Sequence, residues 1–177
     1  MSGRNGVTID DLRPGLKHSA TITVDEALAV PASGRLVGGT AEMPPVFATA
    51  NMIAFVEWTC VAALAPYLAP DQRTVGTRVE ITHLAATPIG MRVTAAVELV
   101  EVDGRRLRFR VGCRDEIEPI GEGFHERTIV DHARFMQRLA RKNPANPSRE
   151  QSPSTRAGQR NPNDDIAHRC EQHRRGS

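Results

Sequence analysis

Between Thr49 and Tyr67 the chain reads TANMIAFVEWTCVAALAPY, and Glu57 is the single charged residue in that run. An ionised carboxylate in apolar surroundings is costly unless it is paired or hydrogen-bonded, so a lone glutamate there must find a partner or hold a proton. Downstream, Val75, Thr77, Val79, Ile81 and His83 alternate onto one side of a strand-like segment, with Arg78 and Glu80 on the other. That pattern puts His83 on the side that meets the core. A histidine there would reach Glu57 or face it across a cleft, and imidazole is the side chain that exchanges protons near neutral pH. The bland alternative is a buried histidine bonded to a backbone carbonyl.

These two residues need a helix and a sheet to hold them. Thr49 or Asn51 is placed to cap a helix beginning near Ala50, and Pro66 limits it after about four turns. It is the one long helix the body offers. Before it, HSATITV alternates His18, Ala20, Ile22 and Val24 against Ser19, Thr21 and Thr23, the period of a half-buried strand. Residues Pro31 to Pro45 read as loop, with a short strand at Arg35 to Val37.

After the helix, four strands are expected over Arg73–Leu84, Met91–Val102, Arg106–Ile117 and Gly121–Asp131. The hairpin signal VDGR joins the middle two. A plain turn at Asp103-Gly104 would set Leu99 against Arg108. One extra residue, expected as a three-residue loop or bulge at Asp103 to Arg105, sets Leu99 against Phe109, Val97 against Val111, Ala95 against Cys113 and Glu98 against Arg110. The reading is α+β: an antiparallel sheet of about five strands curled around one central helix. A short helix in DHARFMQRLARK closes the domain at about residue 142.

At 177 residues the chain suits one domain and a tail. From Asn143 onward Ile166 is the only large aliphatic residue, so residues 143–177 are expected to be a disordered polar extension of a domain spanning 1–142. The net charge of +2 comes from six basic residues against four acidic ones in that tail, while the domain carries 17 of each. Nothing here calls for nucleic acid. Cys60, Cys113 and Cys170 lack metal-site or disulfide spacing, and the N-terminus has no apolar segment after its first basic residue, which together point to a reducing, cytoplasmic setting. Glu57 and Pro66 argue that the apolar run is a buried helix and not a membrane span.

The segments FATANMIAFVEWTCVAALAPYL, VGTRVEITHLAATPIGMRV, VELVEVDGRRLRFRV and IGEGFHERTIVD, in this order and spacing, resemble the fluoroacetyl-CoA thioesterase group of the hotdog-fold acyl-CoA thioesterases. The resemblance covers about Val46 to Phe135. It implies a catalytic trio of a threonine, a glutamate eight residues later and a histidine 26 beyond that, which here are Thr49, Glu57 and His83. It also implies substrate contacts from Gly76 and Arg127, and a homodimer, or a higher oligomer built on it, with each active site at the subunit interface. Coenzyme A then belongs to the substrate, and no separate cofactor is expected. The specialised member screens its pocket with aromatic residues ahead of the helix. This chain has TAEMPPVF there, with Met43 and Phe47, so the fluorine-selective lid does not carry over and a short or medium acyl-CoA is the expected substrate.

Thioester hydrolysis needs an attacking group or a base, a proton carrier and donors for the oxyanion. Glu57 suits attack or base catalysis, His83 proton transfer, and Thr49 hydrogen bonding or, once activated, attack. Backbone N–H groups at the start of the central helix suit an oxyanion or a phosphate. Singly, Thr49 could be only a cap, Arg127 a surface ion-pair partner and Gly76 a strand irregularity. A non-catalytic hotdog module that binds or senses acyl-CoA is the alternative function. Arg106, Arg108 and Arg110 line one strand face, read as solvated, with contact to coenzyme A phosphates as the alternative. His125, His132, His168 and His173 share no metal-ligand spacing, and the Gly121–Gly123 GEG segment opens no phosphate-binding helix. Removing residues 143–177 is expected to leave the melting temperature nearly unchanged, and a calorimetric scan of the truncated chain checks it.

Overall fold

The computed structural model describes residues 7–33 and 42–142. The strand expected at Arg35 to Val37 and the tail, residues 143–177, lie outside these residues.

Five strands form one antiparallel sheet: β1 (Lys17–Thr23), β2 (Gln72–His83), β3 (Arg92–Asp103), β4 (Arg106–Arg114) and β5 (Pro119–Asp131), in the order β1-β3-β4-β5-β2. Among the described residues three α-helices accompany it: the single turn α1 (Val30–Ser33), the long α2 (Thr49–Leu64) and the closing α3 (His132–Lys142). The sheet wraps α2, as the hotdog expectation requires. The inner face of the middle strands is apolar throughout, with Val93, Ala95, Val97 and Leu99 of β3 beside Leu107, Phe109, Val111 and Cys113 of β4, all buried. From α2, Met52, Val56, Cys60, Ala63 and Leu64 complete this core. By length and composition Thr49–Tyr67 would also cross a membrane. Here it is the core helix of a sheet.

The outer face is charged. Glu98 pairs with Lys17 and Arg110, Arg106 with Glu126, and Arg108 stacks 4.4 Å from the centre of the Phe124 ring. Arg106, Arg108 and Arg110 of β4 therefore lie along the outer sheet face with partners of their own.

Several local expectations are corrected. The β3–β4 pairs are those expected, Leu99 with Phe109 and Val97 with Val111 included, but the extra residue sits in β3 at Val100 and not in the loop. The loop itself is the two-residue turn Gly104-Arg105, closed by Gly104 at φ +55°, where a glycine carries no steric penalty. β4 stops at Arg114 instead of running to Ile117. The Asp115 carboxylate accepts the N–H groups of Ile117 (2.8 Å) and Glu118 (2.9 Å), which turns the chain. The helix also starts without a side-chain cap: its N-cap is Ala48, and Asn51 instead donates to the Leu28 carbonyl and the Ser33 hydroxyl.

The most consequential correction is in β2. Its pairing with β5 slips between Gly76 and Arg78, a bulge that leaves Thr77 without a register partner. A continuous alternation would put Val75 and Thr77 on the side of Ile81 and His83. With the bulge, Thr74 and Gly76 share that inner side instead.

Asp115 also accepts the hydroxyl of buried Thr87 at 3.1 Å. Asp115→Ala is expected to destabilise the domain by about 1–3 kcal/mol, the range for stranding buried donors, and Asp115→Asn by less. Urea unfolding of the two variants checks the order.

Candidate active site

Two groups of side chains meet on the inner surface, both at α2. At the start of the helix, the Thr49 hydroxyl lies 2.7 Å from Nδ1 of His83, at the far end of β2. Thr49 is the first helical residue, and its oxygen is spent on the histidine instead of on the helix N–H groups. The remaining ring nitrogen of His83, Nε2, is buried with no hydrogen-bond partner among the described residues.

Two turns along the helix stands Glu57. Its carboxylate oxygen Oε1 lies 3.5 Å from Nε2 of His125 and 3.6 Å from a guanidinium nitrogen, Nη1, of Arg127. The partner sought for this carboxylate is thus Arg127 with His125, and within one chain it is not His83. Eight helical residues rise about 12 Å, which separates the two groups along the axis.

Alternation along β5 explains the arrangement. His125, Arg127 and Ile129 point inward together and are all buried, at 1%, 5% and 1% exposed. Arg127 is therefore no surface ion-pair residue. Its Nε–H donates to the Thr74 hydroxyl (3.0 Å), Nη2 to the Thr74 carbonyl (3.1 Å) and Nη1 to Nε2 of His125 (3.0 Å). Burial lowers the affinity of this guanidinium for its proton, and the Glu57 carboxylate works against that loss. Burial likewise pushes the His125 pKa down; its bond to the Arg78 carbonyl opposes this, and the positive charge of Arg127 adds to the lowering.

Gly76 lies on β2 against this cluster. A Cβ built there would overlap Oε1 of Glu57 and come within 3.2 Å of the His125 ring. The irregularity at Gly76 and its closeness to the carboxylate are thus two aspects of one feature: the bulge turns the glycine inward, and the missing side chain leaves room for Glu57. Although its partners are buried, the Glu57 side chain itself is 38% exposed.

His125 is the residue that sequence reasoning missed. Metal-ligand spacing gives it no role, but its alternation with Arg127 and Ile129 marks it as facing the core. The thiol close by is not a nucleophile. Desolvation pushes Cys60 up to about 12, and Cys113 to about 11, so both stay protonated at neutral pH. Among the described residues, no group of three or more His, Cys, Asp or Glu side chains is arranged to hold a metal ion.

An accessible carboxylate backed by a buried cation, with a hydroxyl–imidazole pair on the same helix, can supply a base or nucleophile and a proton carrier for acyl transfer. The comparisons with known proteins point the same way. A family model described as fluoroacetyl-CoA-specific thioesterase matches residues 32–133. The fluoroacetyl-CoA thioesterase of Streptantibioticus cattleyicolor is 47% identical over 105 residues, which make up 59% of this chain and 76% of that one. A solved structure of the fluoroacetyl-CoA thioesterase FlK has 39% identity and a TM-score of 0.73, covering 75% of this chain and 98% of the other. A variant of FlK in complex with acetyl-CoA has 38% identity and a TM-score of 0.72, covering 75% and 100%. With sheet, central helix and sequence in agreement over this span, the chain belongs to the fluoroacetyl-CoA-specific thioesterase family of hotdog-fold acyl-CoA thioesterases.

Proposed function

We propose that this protein hydrolyses the thioester of a short or medium acyl-CoA to the free acid and coenzyme A, with Glu57, Thr49 and His83 as its catalytic residues. The observation that carries this reading is the state of Glu57. It is a carboxylate on a core helix, opposed by a buried guanidinium and still 38% exposed. The carboxylate form is the one needed either to attack the thioester carbonyl or to take a proton from water. Both routes break the carbon–sulfur bond and require a proton for the leaving thiolate. His83, bonded to Thr49 and with Nε2 uncommitted, is the residue for that transfer.

Gly76 bears on substrate by leaving space at the carboxylate. Arg127 acts on it through Glu57, since three of its N–H groups are already given to Thr74 and His125. Fluoroacetyl-CoA is the substrate of the curated relative, but the aromatic screen does not reappear here. Phe47 is wholly buried in the core, and Met43 is half exposed. A short or medium acyl group is therefore the substrate proposed, and a cytoplasmic setting fits the free thiols of Cys60 and Cys113.

The assembly is a homodimer in which the Thr49–His83 pair of one protomer works with Glu57 of the partner subunit. Three features support it: the separation of the two groups along α2, the exposure of Trp58 (70%) next to Glu57, and the position of β2, with half-exposed Val79, at the sheet edge. The competing reading, an acyl-CoA sensor without turnover, differs in one measurement, thiol release from a panel of acyl-CoAs.

Glu57→Gln keeps the shape of the side chain and removes its charge, so hydrolysis should collapse while acyl-CoA still binds. It should also lower the melting temperature, because Arg127 loses its counter-ion. Wild-type thiol release by this variant would make the carboxylate structural and favour the sensor. His83→Ala should cost turnover by a factor of about 100 or more, the usual range for a general acid or base. Mixing the two inactive variants under subunit exchange should restore up to about one active site in four, because one site of each mixed dimer is intact. No recovery is expected if each site is built within one chain.

A further inference from the structure

We propose that His125 is a positioning residue for hydrolysis: it holds the Arg127 guanidinium, through a bare Nε2, in the orientation that faces Glu57. The inference rests on the reading of Glu57 as the catalytic carboxylate and adds a residue, and a protonation state, to that site.

The hydrogen bonds fix the tautomer. Nδ1 of His125 lies 2.9 Å from the carbonyl oxygen of Arg78, which can only accept, so Nδ1 carries a proton. Nε2 lies 3.0 Å from Nη1 of Arg127, which can only donate, so Nε2 is unprotonated. Both assignments agree on a neutral ring with the proton on Nδ1. An imidazolium would aim a second N–H at the guanidinium. The ring is 1% exposed, so water cannot stand in for either partner.

The charged groups that act on the ring are Glu57 from α2 and Arg127 and Glu126 from β5, and the Cys60 thiol of α2 acts on Arg127. Arg127 is the close cation. Glu57 at 3.5 Å is too far from Nε2 for a good hydrogen bond. The ring therefore does not bond the carboxylate itself and serves it indirectly. Thr74 fixes Nε and Nη2 of the guanidinium, and His125 fixes Nη1, the nitrogen that faces Glu57. Without an acceptor at Nε2, the Nη1 N–H groups are left with the carboxylate as their partner and pull it inward, away from its exposed side. His125 touches neither the carboxylate at bonding distance nor the exposed side of the site, which is why it is a positioning and not a catalytic residue.

Substitutions that keep one half of the ring's hydrogen bonding separate this role from plain packing. Gln places an acceptor near the Nε2 position, whereas Asn reproduces only the shorter Nδ1 reach toward the Arg78 carbonyl. His125→Asn is expected to lower kcat by about tenfold or more with KM for acetyl-CoA nearly unchanged, and His125→Gln to recover much of that loss. In a Glu57→Gln background the change at residue 125 should have no further effect on the residual rate. In the wild-type protein, imidazole 15N spectra should show His125 as the Nδ1–H tautomer, neutral to below pH 6.5. A pH scan gives a further readout. The unfolded chain takes up a proton near pH 6.5 and the folded one does not, so stability is full above that value and falls as the pH drops below it. His125→Gln should flatten that fall.

A wild-type kcat for a folded His125→Asn, or a doubly protonated ring at neutral pH, overturns the proposal while leaving Glu57 as the catalytic carboxylate. Equal losses in the Asn and Gln variants, in step with their melting temperatures, reduce His125 to packing. Wild-type turnover by Glu57→Gln removes the catalytic carboxylate, and the positioning role with it.

Discussion

A guanidinium placed inside a protein core organises this molecule. Taking such a charge out of water costs several kcal/mol after relaxation, so it persists only where its N–H groups are met and its charge is matched. Arg127 is met on three sides by the Thr74 hydroxyl, the Thr74 carbonyl and the His125 ring, and matched by Glu57. Each requirement fixes a neighbour. Thr74 must face inward, so β2 must bulge; Gly76 must lack a side chain, so the carboxylate has room; and a glutamate must interrupt an otherwise apolar helix. The opening oddity of the sequence, one charge in a long apolar run, is the visible half of a pair whose other half is 70 residues away.

The same arrangement divides labour along α2. Near its start a hydroxyl is bonded to an imidazole, and two turns on a carboxylate is backed by a cation. The thiol of Cys60, close enough to feel both Glu57 and Arg127, is kept protonated by its burial and stays outside the chemistry.

What the sequence disclosed, and what it concealed, follows from the range of the forces involved. Period-two patterning is local and strong, so all five strands and the pairing of Leu99 with Phe109 were legible. Family likeness singles out Thr49, Glu57 and His83; the structure brings Thr49 to His83 and sets Glu57 against His125 and Arg127. Concealed were the features decided by contacts distant in sequence. A cap at Thr49 was plausible locally, yet the hydroxyl finds a stronger claim in a histidine 34 residues on. The hairpin's extra residue was needed, but whether turn or strand absorbed it depended on how easily Gly104 takes a positive φ. His125 looked like one of several scattered histidines because its meaning lies across the sheet, in a carbonyl of β2 and a guanidinium of its own strand.

The bulge at Thr77 sets a counting rule for this strand. Gly76 and His83 are seven positions apart, an odd interval, and in an unbroken strand an odd interval sends two residues to opposite sides. Here both look toward the helix because one residue between them is out of step. The phase slip lets a single strand present a gap to the carboxylate and an imidazole to the hydroxyl, seven residues later. It also constrains how the strand can change in length. Loss or gain of one residue between these points is tolerated only if the bulge disappears or a second one forms, and otherwise one of the two residues turns to the solvent side.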